Sequence, residues 1–280
     1  MINNKLHALY GMKYNPFSCE VPEEALYPYP SLENFYWRIE NVLLREGGFA
    51  LVSGDSGTGK SVALRLTASR LKNKQDVSIG IITHSTARLS DFYREMGDVF
   101  GVALTNSNRW GGFKNLRERW VSHLQSTLFR PVLFIDEAQD MLPSVLNELR
   151  MLTSMNFDSQ VLLSVVLAGD QRLNAQLQRE DLIPLESRIK VRLRTGYTSP
   201  EELRVCLNHL LVSAGNPNLM TPELIQTLCE HSAGNYRSLC KMAGDMLAAA
   251  TQQERTQIMD EKMYFECFPA NAPHTNRKKS

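Results

Sequence analysis

The sequence predicts an α/β fold, in which a parallel sheet carries helices on both faces and a small all-helical domain follows. Up to Tyr197, short apolar runs alternate with amphipathic stretches of helical spacing, which is typical of a parallel sheet whose strands are joined by helices. Beyond Tyr197 only helical patterns follow. The length agrees with this division, because 280 residues at about 150 per domain give one or two domains.

The composition is that of a folded globular protein, with 43% hydrophobic and 22% charged residues, and it excludes a disordered chain. Because 31 Lys and Arg face 30 Asp and Glu, no global field draws the chain to nucleic acid, and any DNA binding must use a local patch. Five cysteines without a C-x-x-C pair argue against a disulfide framework and a zinc site. No leader and no run of about 18 apolar residues occurs, so we expect a cytoplasmic protein without membrane contact.

Patterning along the chain predicts an N-terminal arm over 1–30, the α/β domain over 31–197, a helical lid domain over 198–268 and a flexible basic tail over 269–280. Four prolines in the first 30 residues favour an extended arm over a helix. Apolar runs predict strands over 49–53, 77–83, 132–135, 160–168 and 191–193, of which 77–83 is expected to be buried on both faces. Helical spacing predicts helices over 32–45, 60–71, 90–100, 113–128 and 144–155.

The lid domain begins with Ser199-Pro200 and repeats the same device at Thr221-Pro222. Proline in the first turn with acidic residues after it is typical of a helix start. Apolar spacing then predicts helices over 203–212, 224–229 and 237–250.

A glycine-rich turn follows the first predicted strand and leads into the next predicted helix. It satisfies G-x-x-x-x-G-K-[ST], a motif in which backbone N–H groups and a helix N-terminus cradle phosphates. Lys60 is expected to reach the β and γ phosphates of ATP, and the Ser61 hydroxyl to ligate Mg²⁺. The alternative is a plain glycine-rich turn, which requires neither the strand nor the helix. The predicted nucleotide contacts in this segment are Gly54, Asp55, Ser56, Gly57, Thr58, Gly59, Lys60, Ser61 and Val62.

Two adjacent carboxylates, Asp136 and Glu137, end the predicted strand at 132–135. Asp136 is the expected carboxylate partner of nucleotide-bound Mg²⁺, and Glu137 the expected base or positioner for an attacking water. The alternative is a pair of acids that merely ends a strand. A kinase or GTPase needs no glutamate directly after the metal aspartate, so the pair favours an ATPase.

Three further polar residues have a role only in an oligomeric ATPase. Asp170 follows the third buried strand and could hold the attacking water, or simply end the strand in a turn. Arg188 precedes the last strand and could neutralise transition-state charge in a neighbouring subunit, or be a surface arginine. Arg237 begins a long lid helix and could reach the γ-phosphate, coupling the domain angle to the nucleotide state.

This set of residues resembles the AAA+ superfamily of ATPases over about residues 10–268. The resemblance implies a P-loop fold with a helical lid, and it gives each motif a name. Walker A corresponds to 54–61 and Walker B to 133–137, with Asp170 at the sensor-1 position, Arg188 as an arginine finger and Arg237 as the sensor-2 arginine.

Within that superfamily, the opening Tyr-Gly-Met-Lys-Tyr-Asn-Pro-Phe-Ser at 10–18 is similar to the opening of ExeA-type ATPases. The Ile-Asp-Glu-Ala-Gln segment at 135–139 and the Val-Leu-Ala-Gly segment at 166–169 are similar to that group as well. The resemblance implies that the arm around Pro16 and Phe17 lies near the adenine.

The ExeA-type group shades into the target-selecting ATPases of transposons, MuB, TnsC and TniB. ExeA-type secretion ATPases generally continue into a membrane span and a peptidoglycan-binding region, and we see neither in this sequence. The resemblance therefore favours a transposon helper that self-assembles as a ring or filament on duplex DNA in the ATP state, presents target DNA to a DDE-type transposase and disassembles on hydrolysis. The alternatives are an ATPase of a secretion or protein-assembly machine without DNA contact, and a nucleotide-gated scaffold with negligible hydrolysis.

Two short basic segments are the candidate DNA contacts, with solvated helix ends as the alternative. The first follows the helix after the glycine-rich turn, and the second precedes the predicted helix at 113–128. The residues are Arg70, Lys72 and Lys74 in the first segment, and Arg109, Trp110 and Lys114 in the second.

Overall fold

The computed structural model describes residues 2–82, 88–102, 109–126, 130–156 and 159–269. The chain forms two compact units. The α/β unit runs over Pro28–Gly196, and the helical unit combines Met1–Tyr27 with Tyr197–Ser280. Instead of forming a separate arm over 1–30, the first 27 residues group with the C-terminal helices.

Seven strands occur within the described residues, and they form two sheets. In chain order they are β1 (Gly48–Ser53), β2 (Val77–Ile82), β3 (Arg130–Ile135), β4 (Ser154–Met155), β5 (Gln160–Val161), β6 (Ser164–Gly169) and β7 (Ile189–Arg194). Five of them form a sheet in the order β2-β3-β6-β1-β7, with every neighbouring pair parallel. The predicted fold class is thereby confirmed.

The helices alternate with these strands in the α/β unit and follow one another in the helical unit. In chain order they are α1 (Ile2–Tyr10), α2 (Ser31–Arg38), α3 (Leu44–Glu46), α4 (Lys60–Lys72), α5 (Leu89–Phe100), α6 (Arg109–Ser126), α7 (Pro143–Leu152), α8 (Gln171–Leu177), α9 (Ile183–Glu186), α10 (Pro200–Ala214), α11 (Pro222–His231), α12 (Tyr236–Gln252) and α13 (Glu261–Cys267). A π-helical turn over Ile39–Leu43 joins α2 to α3, so the helix predicted over 32–45 is one continuous run.

The centre of the sheet is the most buried part of the α/β unit. All six residues of β6 are buried, and β1 and β3 flank this strand on its two sides. The strand over Val77–Ile82 lies instead at the edge of the sheet, where Ile81 is 47% exposed. The prediction that this strand is buried on both faces was therefore wrong, because the face that carries Ile81 is open to solvent at this residue.

The segment between α7 and β6 also differs from the prediction. The helix predicted over 144–155 ends at Leu152, and the strand predicted over 160–168 is divided into β5 and β6. β4 and β5 pair as an antiparallel hairpin outside the main sheet. The predicted ends at Thr83 and at residues 127 and 128 lie outside the described residues.

The helical unit is a cluster of α1 and α10–α13 around a shared apolar core. The arm prediction missed α1, because its prolines begin only at Pro16 and leave residues 2–10 free to form a helix. Leu6 and Met12 are fully buried in this core. The caps of α10–α13 each accept a backbone N–H from the first turn, which satisfies donors that a helix start leaves unpaired; they are Ser199, Thr221, Asn235 and Asp260.

All five cysteines are free. Burial raises the pKa of the Cys229 and Cys240 thiols to about 11, so both stay protonated at neutral pH. Cys19 is exposed. Across the ranges that the structure describes, no helix has the length and apolar character needed to cross a bilayer.

Candidate active site

The candidate site lies at the carboxyl-terminal ends of the parallel strands. The register pairs Ser53 of β1 with Gly169 of β6, and Ile135 of β3 with Leu167 of β6. The glycine-rich loop follows β1 and the carboxylates follow β3, so both lie at the carboxyl-terminal ends of the strands. The end of β6 lies between them. Ligands of open α/β sheets bind in such positions, beyond the carboxyl ends of the strands.

The loop between β1 and α4 needs glycine at specific positions. Gly57 and Gly59 have φ values of 79° and 98°, which side chains other than glycine rarely adopt. A Cβ atom on Gly54 would lie 2.1 Å from Thr195 Oγ1 and 2.3 Å from the Thr195 carbonyl oxygen. These contacts explain the glycines of the motif as requirements of the loop backbone.

Lys60 lies at the first turn of α4 and is 7% exposed. Its Nζ donates to the carbonyl oxygens of Gly54 and Asp55, each at 3.0 Å. The positive charge is therefore held inside the loop, at a helix N-terminus that favours anions. This arrangement fits a polyphosphate.

Thr195 directly follows β7, the strand next to β1, and connects it to the glycine-rich loop. Its Oγ1 is 2.7 Å from Thr58 Oγ1, and its backbone N donates to the Ser53 carbonyl oxygen at 2.8 Å. Both threonines are buried, at 6% and 2% exposure. Sequence patterns alone did not identify Thr195, although a polar residue directly after the last strand was a possible signal.

The Asp136–Glu137 pair follows β3 directly. Glu137 adopts a left-handed backbone, with φ 50° and ψ 40°, which costs a residue with a side chain about 1–2 kcal/mol. Its backbone N donates to Asp136 Oδ1 at 2.9 Å, and its side chain is exposed. The carboxylates with the exposed Ser61 hydroxyl offer hard oxygen ligands, the type that suits Mg²⁺ beside nucleotide phosphates.

Asp170 differs from its expected role in what its carboxylate contacts. It caps α8, where its Oδ1 accepts from Arg172 N at 2.8 Å and its Oδ2 from Arg172 Nε at 2.9 Å. This hydrogen bond raises the pKa of Arg172, whose guanidinium also lies 3.3 Å from Asp140. These contacts favour the alternative in which Asp170 ends the strand in a turn, and its expected role toward an attacking water stays a proposal.

Two glutamines that sequence patterns did not identify connect these segments. Gln171 Nε2 donates to Asp55 Oδ1 at 3.2 Å. Gln139 Nε2 donates to Glu137 Oε2 at 2.5 Å, and Gln139 Oε1 accepts from Asp170 N at 3.1 Å. No local pattern marks such contacts, although Gln139 stands within the quoted 135–139 segment.

Arg188 lies at the amino-terminal ends of the strands, on the side of the sheet away from the glycine-rich loop. Its carbonyl oxygen accepts from Phe49 N at the start of β1, whereas the glycine-rich loop begins after the end of β1. The six residues of β1, at about 3.3 Å each, separate the two ends of this strand by roughly 20 Å. The half-buried Arg188 is thus remote from its own loop, which agrees with a role toward a neighbouring copy.

Arg237, Pro16 and Phe17 belong to the helical unit. Arg237 is the exposed second residue of α12. Pro16 is buried, and Phe17 packs on α12, where a Cβ on Gly244 would lie 3.3 Å from Phe17 Cβ. Their expected contacts with the nucleotide remain proposals.

The first basic segment is engaged in ion pairs within the α/β unit. Arg70 lies 2.9 Å from Glu40 and 3.3 Å from Glu33, with its guanidinium over the Tyr36 ring. Lys74 lies 3.2 Å from Glu40. Lys72 is exposed. Arg70 of α4 and Lys74 just after it therefore connect this region to α2 and the π-helical turn, which favours the structural alternative for these two residues.

The second basic segment forms the start of α6 and is more open. Trp110 is 73% exposed and stacks on Phe113 with ring centroids 5.9 Å apart. Lys114 lies 3.7 Å from Glu118, with both side chains more than 60% exposed. Arg109 begins α6, and its side chain lies outside the described residues. An exposed aromatic beside a loosely paired lysine suits contact with nucleic acid.

A family model described as an AAA domain matches residues 44–177, which contain the glycine-rich loop and the Asp136–Glu137 pair. The chain is also similar to General secretion pathway protein A of Aeromonas hydrophila, with 29% identity over 245 residues. That alignment covers 86% of this chain and 44% of the relative. The chain therefore spans less than half the length of this curated relative.

Solved structures with a similar fold include two proteins of Aeropyrum pernix. The ORC2 protein in its ADPNP-ADP complexes gives a TM-score of 0.74 at 15% identity, covering 95% of this chain and 73% of that chain. The ORC1 protein in complex with DNA gives a TM-score of 0.66 at 19% identity, covering 89% and 68%. At these identities the likeness shows the fold.

Proposed function

We propose that this chain, which has the P-loop fold of the AAA+ ATPases and an AAA domain over residues 44–177, binds ATP with Mg²⁺ and hydrolyses it. The proposal rests on one observation: the Lys60 loop and the Asp136–Glu137 pair lie at the same carboxyl-terminal ends of the strands, on either side of the end of β6. A phosphate cradle beside two carboxylates is the arrangement that phosphoryl transfer to water requires.

In this proposal, the loop N–H groups and Lys60 bind the β and γ phosphates. Ser61 and Asp136 hold Mg²⁺, which supplies charge neutralisation on the phosphate oxygens when bound. Glu137 accepts a proton from the attacking water, and Asp170 lies at the strand end beside it. Arg188 of a neighbouring copy neutralises transition-state charge. The finer assignments are Val62 at the phosphates, Pro16 and Phe17 near the adenine, and Arg237 toward the γ-phosphate.

The cellular role that we propose is an ATP-dependent regulator of DNA transposition. It binds duplex DNA in the ATP state as an oligomer, presents the DNA to a DDE-type transposase and disassembles on hydrolysis. The proposal is supported by the resemblance of segments 10–18 and 135–139 to ExeA-type ATPases, a group that shades into the transposon helpers. It is also supported by the open basic and aromatic start of α6 and by a fold shared with a protein solved in complex with DNA.

The second candidate is an ATPase of a secretion or protein-assembly machine without DNA contact. The similarity to General secretion pathway protein A favours it. The two candidates differ in whether the ATP state holds DNA.

Fluorescence anisotropy of a labelled random-sequence duplex separates the candidates. The regulator proposal predicts binding with a non-hydrolysable ATP analogue and weak binding with ADP, and it predicts that Lys114→Ala weakens binding because a phosphate contact is lost. Lys74→Ala is the matched control, since Lys74 is held by Glu40. If the duplex binds neither with the ATP analogue nor with ADP, the DNA role is excluded and the secretion candidate is favoured.

A further inference from the structure

Gln139 joins two strand ends through a single side chain. It lies in the 3₁₀ turn Ala138–Asp140 that follows β3. Its Nε2 donates to Glu137 Oε2 at 2.5 Å, while its Oε1 accepts from the backbone N of Asp170 at 3.1 Å. The Glu137 carboxylate is therefore linked to the end of β6 through one amide group.

The surroundings hold this amide in place. A Cβ on Gly169 would lie 2.7 Å from Gln139 Oε1, so the amide lies directly over a position that only glycine leaves open. Gln139 Nε2 is also 3.4 Å from Asp140 Oδ2. The side chain is half-buried, whereas Glu137 is exposed, so Gln139 restricts a carboxylate that solvent would otherwise leave mobile.

The carboxylate of Asp170 does not make this connection itself. Both of its oxygens accept hydrogen bonds from Arg172. The group that connects the end of β6 to Glu137 is therefore the backbone N–H of Asp170, and the connection runs through Gln139.

We propose that Gln139 is a positioning residue for hydrolysis, which aims the Glu137 carboxylate at the attacking water and ties its direction to the end of β6. The inference rests on the proposed ATP hydrolysis. In that step the water oxygen bonds to the γ-phosphorus, the bond from the γ-phosphorus to the β–γ bridging oxygen breaks, and the water proton passes to Glu137. A carboxylate that turns away loses this geometry without changing how ATP is held.

Gln139→Glu is the most informative variant, because it keeps the size and one acceptor oxygen for Asp170 N. Its other oxygen faces the Glu137 carboxylate, so a donor is replaced by a like charge. We expect kcat to fall about ten- to a hundredfold, the usual scale for a lost hydrogen bond to a charged group. KM for ATP should stay within about twofold, since the phosphate contacts are unchanged. Gln139→Met, which keeps length without polarity, should lower kcat as well.

Gln176→Ala is the matched control. Gln176 also bridges to the segment after β3, through Nε2 to the Met141 carbonyl oxygen at 2.9 Å, but no hydrogen bond described in the structure joins it to Glu137. The experiment measures kcat, KM for ATP and the thermal unfolding midpoint for the full chain and for each variant.

A fall in kcat for both Gln139 variants, with KM and unfolding midpoint near wild type and Gln176→Ala unaffected, supports the inference. Wild-type kcat in Gln139→Glu would overturn it while leaving the proposed hydrolysis intact. An equal fall in Gln176→Ala with lowered unfolding midpoints would also overturn it, since the role would then be structural. A wild-type chain without ATP turnover would overturn the proposed function and this inference together.

Discussion

Lys60 is the residue on which nucleotide binding depends most directly. Its ammonium is nearly buried and contacts only loop carbonyls among the hydrogen bonds that the structure describes. Neither of these acceptors carries a full negative charge, so a bound phosphate would supply one. The side chain is therefore expected to contribute to binding rather than to folding.

Lys60→Ala should weaken ATP binding about ten- to a hundredfold, because a charged hydrogen bond to phosphate is lost. Isothermal titration with ATP and Mg²⁺ measures the change. Lys72→Ala is the control, since it removes the same charge from the other end of α4. Unchanged ATP affinity in Lys60→Ala would remove the basis for the nucleotide site.

Glu137 is the residue that distinguishes hydrolysis from binding. Its left-handed backbone is strained, and strain of this kind is found most often at functional sites. Glu137→Gln keeps the shape and removes the base. We expect normal ATP affinity, a kcat lowered about a hundredfold or more, and an assembled state that persists in ATP. Turnover at the wild-type rate would show that Glu137 is not the base; light scattering in ATP reports the assembly.

At the scale of elements, the glycine-rich loop depends on the neighbouring strand β7. Thr195 follows that strand, and its hydroxyl pairs with the Thr58 hydroxyl inside the protein. The end of β7 therefore restrains the loop in the shape that binds phosphate.

Thr195→Val should lower the free energy of unfolding by about 1–3 kcal/mol, since a buried hydroxyl loses a partner, and should weaken ATP binding several-fold. Thr195→Ser keeps the hydroxyl and is expected to behave like the wild type. Urea unfolding and nucleotide titration give both quantities. Equal ATP affinity in the two variants would show that the hydroxyl pair does not position the loop.

The elements that sequence patterns predicted well are those with long, continuous signals. Five apolar runs predicted the five parallel strands, and the motif at 54–61 predicted the loop between β1 and α4. The β4–β5 hairpin was missed because two residues per strand leave no periodicity. The edge position of β2 was missed because strand order is not written in a single strand's composition.

The parts of the site that sequence could not predict are contacts between distant residues. The Thr58–Thr195 pair joins residues 137 positions apart, and the Gln139–Asp170 contact joins residues 31 apart. Such contacts follow from strand order and register. Sequence motifs identified the groups that carry the chemistry, and the structure added the groups that hold them.

At the scale of the whole molecule, Arg188 is the residue whose proposed role requires a second copy of the chain. It lies at the edge of the sheet opposite to its own loop, so any catalytic role must be toward another copy. The proposal of self-association therefore has a residue that tests it.

Mixing Arg188→Ala with wild-type subunits should lower ATP hydrolysis below the sum of the two, because each variant subunit deprives a neighbouring site of a positive charge. Arg45→Ala, an exposed arginine of α3, is the control and should give additive activity. Additive activity with Arg188→Ala would show that no arginine acts in trans from this position.

In the proposed function, ATP hydrolysis at the Lys60–Glu137 site is coupled to duplex DNA. Its most direct test is steady-state ATP hydrolysis with and without random-sequence duplex DNA, at low and at higher salt. We expect DNA to stimulate hydrolysis and the stimulation to decline as salt rises, because phosphate contacts release counterions and weaken with salt. Hydrolysis that is the same with and without DNA at both salt concentrations would contradict the coupling and leave an ATPase that serves a protein partner.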